Sequence, residues 1–178
     1  MPALVTPDVR FKESFLAAMA EFAAEGRAGD GSGIGRDLET WTGRWETDEG
    51  FAAYVADKVA ERDRVVDPGW VLNTNLWWVQ DDEYVGRMSI RHELNDWLRE
   101  VGGHIGYDVR RSRRGRGHAT AMLAAALPIA FGLGIQRALV TCDEDNIASR
   151  RVIEHNGGVF EAERGGKLRY WVPTQASA

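Results

Sequence analysis

The 178 residues, 44% of them hydrophobic, suit one compact domain of mixed α/β character. A net charge of −5 argues against nucleic acid as the main partner and mildly favours cationic ligands such as amines. The single cysteine, Cys142, excludes an internal disulfide framework and fits a reducing cytoplasm; no apolar run approaches the roughly 20 residues of a membrane span, and no signal-peptide pattern opens the chain.

Phe11, Phe15, Met19 and Phe22 recur at helical spacing, which predicts an amphipathic helix over 10–25. The glycine-rich segment 29–35 contains G-x-G-x-G but follows no strand, so a flexible loop is expected there rather than a phosphate site. Phe51, Tyr54, Val55 and Val59 predict a second helix over 48–62. Strands are expected over 73–80 and 84–90, joined by a turn at Asp81-Asp82, and a third over 104–109. The next helix has Ala119, Met122, Leu123, Ala126, Ala130 and Leu133 on one face. Pro128 inside it predicts a kink or an early break. A strand over 136–142 then leads to a short helix capped by Asp145 or Asn146 and ended near Asn156-Gly157-Gly158. Two final strands, over 159–164 and 168–172, close the chain around Gly165-Gly166.

The chemistry concentrates at 110–120, R-R-S-R-R-G-R-G-H-A-T, between a strand and a helix. Unpaired N–H groups at a helix N-terminus carry partial positive charge, glycines let that backbone approach a ligand, and arginines add forked donors. That combination is a phosphate-binding turn. A P-loop would need Lys-Ser/Thr after its last glycine, where this chain has His118-Ala119. A dinucleotide fingerprint would need Gly or Ala at Thr120. Arg114-Gly115-Arg116-Gly117-His118-Ala119 matches R-x-x-G-x-A instead. A second segment, N-x-x-S at Asn146 to Ser149, follows a strand and precedes a glycine turn.

With these two motifs in this order the chain resembles the GCN5-related N-acetyltransferases (the GNAT family), nearest the branch of ribosomal-protein acetyltransferases. The resemblance implies one GNAT-type domain: a mixed central sheet with splayed parallel strands, flanked by helices. It implies a variable acceptor-side region over 1–72 and an acetyl-CoA-binding core over 73–172. It also implies an acetyl-CoA-dependent N-acetyltransferase that acts on a primary amine, of a small molecule or a protein N-terminus, by direct attack in a ternary complex. The N–H groups of Gly115, Arg116, Gly117, His118, Ala119 and Thr120 would wrap the pyrophosphate, and main-chain groups of Tyr107, Asp108 and Val109 would pair with the pantetheine arm. Arg110, Arg111, Arg113 and Arg114 are the candidates for the 3′-phosphate and diphosphate, and Asn146 is both helix cap and cofactor ligand.

Many relatives carry a tyrosine, which protonates the thiolate, at the position of Ile153, a residue unable to donate a proton. Ser149 is the expected acid, and Tyr107 is a further catalytic candidate. No base is evident. His104 is named for the part, although strand alternation points it away from the expected face; Tyr107, His92, Glu93, Glu144 and Glu161 are the other options. Asp143 to Asn146 lacks the ligand pattern of a calcium loop, because Ile147 falls where an oxygen is needed, and no metal is expected. Of the seven tryptophans, most are expected in the core and some at an acceptor pocket. Edge strands are compatible with a homodimer. The alternatives are a non-catalytic acyl-CoA-binding module and an RNA-binding protein, the latter disfavoured by the acidic balance.

Overall fold

The computed structural model describes residues 1–175. A short strand β1 (Ala3–Val5) precedes three helices, α1 (Lys12–Ala24), α2 (Gly33–Trp41) and α3 (Asp48–Ala60). Then come β2 (Asn73–Gln80), β3 (Glu83–Arg91), β4 (Ile105–Val109), α4 (His118–Gly132), β5 (Arg137–Asp143), α5 (Ile147–His155), β6 (Val159–Arg164) and β7 (Lys167–Pro173).

The strands form two antiparallel sheets, β1-β2-β3-β4 and β5-β7-β6. The expected splay between β4 and β5 is complete enough to separate them. The sheets meet where the His104 N–H donates to the Leu139 carbonyl at 2.7 Å, and they part beyond it. β4 therefore ends its sheet with one edge unladdered.

Strand alternation sends neighbouring side chains to opposite faces. Trp77, Val79 and Tyr84 pack among α1, α2 and α3 around Phe15, while Trp78, Val85, Met88 and Ile90 pack with α4 and the second sheet. Trp41, Trp45, Trp77 and Trp78 are thus core, whereas Trp97 is 47% exposed.

Two expectations need correction, and one strand has no counterpart among them. Segment 29–35 is not all loop: Ser32 accepts from the Gly35 N–H at 3.0 Å and starts α2, whose Ile34, Leu38 and Trp41 are buried. β1 has no periodic signal of its own and forms by pairing Ala3 to Val5 with Trp77 to Val79. Pro128 does not break α4, which runs on to Gly132. Pro128 and Ala124 both lie on the exposed face, where water can satisfy the carbonyl that loses its partner.

Candidate functional site

The arginine turn stands at the mouth of a groove of about 520 Å³, bordered by Tyr107 to Val109, Arg113 to Gly115, Gly117 to Thr120, Asn146, Ser149 and Val152. Gly115 and Gly117 hold φ of +74° and +79°, a left-handed backbone that other residues adopt only with strain, and a Cβ at either would meet nothing within 4 Å. Gly117 caps α4 without a side chain, so the first-turn N–H groups of α4 are left for a ligand. The residues present therefore fit a diphosphate at this helix end.

Not every arginine of the turn is free to help. Arg110 donates Nε and Nη2 to Glu21 at 2.9 and 2.5 Å, and the same carboxylate accepts from the N–H and hydroxyl of Ser112, each at 2.9 Å. Burial pushes the Glu21 carboxyl up, but the bonds from Arg110 and Ser112 outweigh it and hold it below the ordinary value. Arg114 donates Nη2 to Glu25 at 2.8 Å and Nε to the Val109 carbonyl at 2.9 Å, and Arg113 pairs with Glu83. Arg110 and Arg114, expected on phosphate, thus fasten the turn to α1, and the Val109 carbonyl is already engaged. Arg111 and Arg116 have no ion pair among the described residues and are exposed. His118 is 8% exposed; its Nδ1 accepts from Trp78 Nε1 at 3.1 Å, and burial beside Arg113 and Arg116 lowers its pKa.

A second cleft of about 530 Å³ opens on the other side of β4, between α2, β3 and the start of α5. Arg27, Tyr107, Asp108, Asn146 and Ser149 border both spaces. Asn146 accepts from the Ser149 N–H at 3.0 Å as the cap of α5, leaving the Ser149 hydroxyl 2.7 Å from the Tyr107 hydroxyl. Burial pushes the Tyr107 phenol up to about 12, against a smaller opposing effect of the Ser149 bond, so it keeps its proton at neutral pH. Ile153 is fully buried in the core.

The remaining base candidates lie elsewhere. His104 is 8% exposed and lines neither cleft; its Nδ1 accepts from the Leu139 N–H at 2.9 Å, so the ring bridges the two sheets. Strand alternation is the reason, since Gly103 and Ile105 rather than His104 share the parity of Tyr107. His92, Glu93, Glu144 and Glu161 border neither cleft, and Glu161 pairs with Arg169 at 2.8 Å. Burial, with Arg91 and Arg99 nearby, lowers the His104 pKa to about 4. A folded-state value below the unfolded one means this stability is present above pH ~6.5 and lost as pH falls towards 4, up to about 3 kcal/mol. Asn at this position keeps an acceptor for Leu139 without titrating. Thermal denaturation of His104→Asn between pH 7 and 4 should therefore show a shallower acid loss than the native chain; an equally steep loss would remove this assignment.

Residues that the sequence reading passed over dominate the second cleft: Arg27, Arg36, Arg87 and Arg91. Arg87 pairs with Asp37 at 2.9 Å and Asp108 at 3.6 Å, and Arg27 with Asp108 at 2.9 Å and with Asp30. Lys167 pairs with Asp143 at 2.5 Å. Every carboxylate bordering this cleft is therefore ion-paired. A Cβ at Gly33 would collide with the Arg87 guanidinium, so that glycine is required by close approach. Burial, together with Arg87 and Arg36, lowers Arg91 to about 10. Arg87, Ser89 and Arg91 alternate along β3 and share a face, a period-2 polar stripe that was available in the sequence.

Among the described residues no helix is long and apolar enough to cross a membrane and no three metal-ligating side chains converge. Cys142 is buried, which raises its thiol pKa.

Comparison with known proteins identifies the family and the fold. The family model described as an acetyltransferase (GNAT) domain matches residues 33–159. No curated protein sequence matches the chain significantly. Among solved structures, Mycobacterium smegmatis RimJ in complex with CoA-disulfide is 20% identical with a TM-score of 0.66, over 97% of this chain and 81% of that one. The microcin C7 self-immunity acetyltransferase MccE, in complex with acetyl-CoA and AMP, is 14% identical with a TM-score of 0.63, over 97% and 92%. A Salmonella typhimurium acetyl transferase that modifies the N-terminal serine of a 50S ribosomal subunit protein is 16% identical with a TM-score of 0.59, over 97% and 94%. These likenesses share the fold, and the family match covers most of the chain: it belongs to the GCN5-related N-acetyltransferases, enzymes that draw their acetyl group from acetyl-CoA.

Proposed function

We propose that this acetyltransferase passes the acetyl group directly to a primary amine while donor and acceptor are both bound. One observation carries the reading: the phosphate-turn groove and the arginine-lined cleft meet at Tyr107 and Ser149, whose hydroxyls are 2.7 Å apart. Bound acetyl-CoA supplies the thioester. The start of α4, which no side chain caps, and the glycines of the turn hold the diphosphate, and the free edge of β4 aligns the arm. Tyr107 keeps its proton at neutral pH and holds it for the departing sulfur, with Ser149 orienting the phenol and able to pass a proton to it. The acceptor cleft offers no unpaired carboxylate and no imidazole, so the ammonium proton leaves to water before the nitrogen attacks. A primary amine also agrees with the N-terminal serine that the Salmonella relative modifies.

Initial velocities with acetyl-CoA and a panel of amines, followed by release of free CoA thiol, test this. Intersecting double-reciprocal lines are expected for a ternary complex. Parallel lines would overturn direct transfer. Tight CoA binding with no thiol release above background for any amine would replace the enzyme by an acyl-CoA-binding module.

A further inference from the structure

The acceptor cleft holds more positive charge than its carboxylates neutralise. Arg27, Arg87 and Lys167 have ion-pair partners, but Arg36 and Arg91 have none among the described residues. The Arg91 guanidinium makes a single hydrogen bond among the described residues, from Nη1 to the Gly102 carbonyl at 3.2 Å, so most of its five N–H donors are unspent. It lies against the backbone one residue before Tyr107: a Cβ at Gly106 would stand 2.9 and 3.2 Å from its two terminal nitrogens. Arg36, on α2 across the cleft, rests over the Trp70 ring at 5.2 Å, and Trp97 lies 5.8 Å from Trp70.

A half-buried guanidinium without a counter-charge is costly for the empty protein. Arg91 is such a group; with Arg36, which is exposed and equally without an ion pair among the described residues, it gives the cleft two forked guanidiniums, each able to bind a planar or tetrahedral anion through two donors, and together they form a ready anion receptor. The glycine that admits Arg91 also sets the reach, because the receptor begins next to the tyrosine expected to meet the reacting sulfur.

We infer that the acceptor amine carries an anionic group, a carboxylate or a phosphate, which docks on Arg91 and Arg36 while its nitrogen reaches the Tyr107–Ser149 pair. The inference rests on the transferase reading above and names its substrate class. Two arginines accepting one anion make two to four charge-assisted bonds, which an uncharged amine forgoes.

The probes are an ω-amino carboxylate, an aminoalkyl phosphate and the alkylamine of matching length. The native chain should show kcat/KM at least about tenfold higher for one or both anions than for the alkylamine. Arg91→Met should collapse that ratio towards one, Arg91→Lys should recover part of it, and acetyl-CoA affinity should be the same in all three chains. The better anion distinguishes carboxylate from phosphate. Equal kcat/KM for charged and uncharged amines in the native chain, or a preference that survives Arg91→Met and Arg36→Met together, would overturn the anion site and leave the transferase standing. Saturable tryptophan quenching by the anionic amine in the presence of CoA, lost in Arg91→Met, would uphold the site even if no acetyl transfer occurred, in which case the transferase reading alone would fail.

Discussion

Gly117→Asp is expected to weaken acetyl-CoA binding by roughly a hundredfold or more, while Gly117→Asn weakens it far less. Both side chains tolerate a left-handed φ such as the +79° found here, and a Cβ at this position meets no heavy atom within 4 Å. Sterics and strain are thus shared by the two variants, which differ by one negative charge at the helix end. A like charge about 5 Å from a phosphate, at an effective dielectric near 20, opposes binding by about 3 kcal/mol. Calorimetric titration with CoA reads the difference, and unchanged thermal unfolding reports that the fold is kept. Equal affinities for Asp and Asn would remove the diphosphate from this turn.

Tyr107→Phe should lower kcat by roughly two to three orders of magnitude, the usual range for loss of a positioned general acid, with CoA affinity altered by no more than about twofold. The phenol is half-buried and its pKa is pushed up to about 12, so it enters the reaction protonated at any pH from 5 to 9. Ser149→Ala should cost less, because the tyrosine keeps its proton without it. The double variant should resemble Tyr107→Phe alone, since groups that act as one unit lose their effect together. Single-turnover measurement separates the acetyl-transfer step from product release. A Tyr107→Phe chain that transfers at the native single-turnover rate would exclude the phenol as acid.

The sequence disclosed what depends on local pattern. The strand–turn–helix carrying R-x-x-G-x-A, the cap at Asn146 and the strands over 73–80 and 159–164 are each written within a few neighbouring residues. Partners distant in sequence were illegible: nothing near Arg110 or Arg114 announces that Glu21 and Glu25 will hold them, 89 residues away. α2 was hidden differently. Its Ile34, Leu38 and Trp41 have helical spacing and Ser32 is a good cap, but Gly33 and Gly35 mimic a loop. Gly33 is there because the Arg87 guanidinium fills the place of its Cβ. Arg87 and Arg91 were overlooked because they read as polar residues of a half-solvated strand, whereas helix α2 covers that face and turns it into the cleft floor.

The grip of α1 on the phosphate turn bears on how the chain can be divided. Glu21 on α1 and Glu25 at its end order the turn, and α1 with the two helices that follow it buries Trp77 and Tyr84 of the sheet. A fragment beginning at residue 73 would contain both family motifs and yet leave Arg110 and Arg114 without their carboxylates and two large aromatic rings in water. Exchanging the first 72 residues between relatives therefore disturbs the phosphate turn as well; the graft must bring two acids at matching positions, or donor binding will weaken with it.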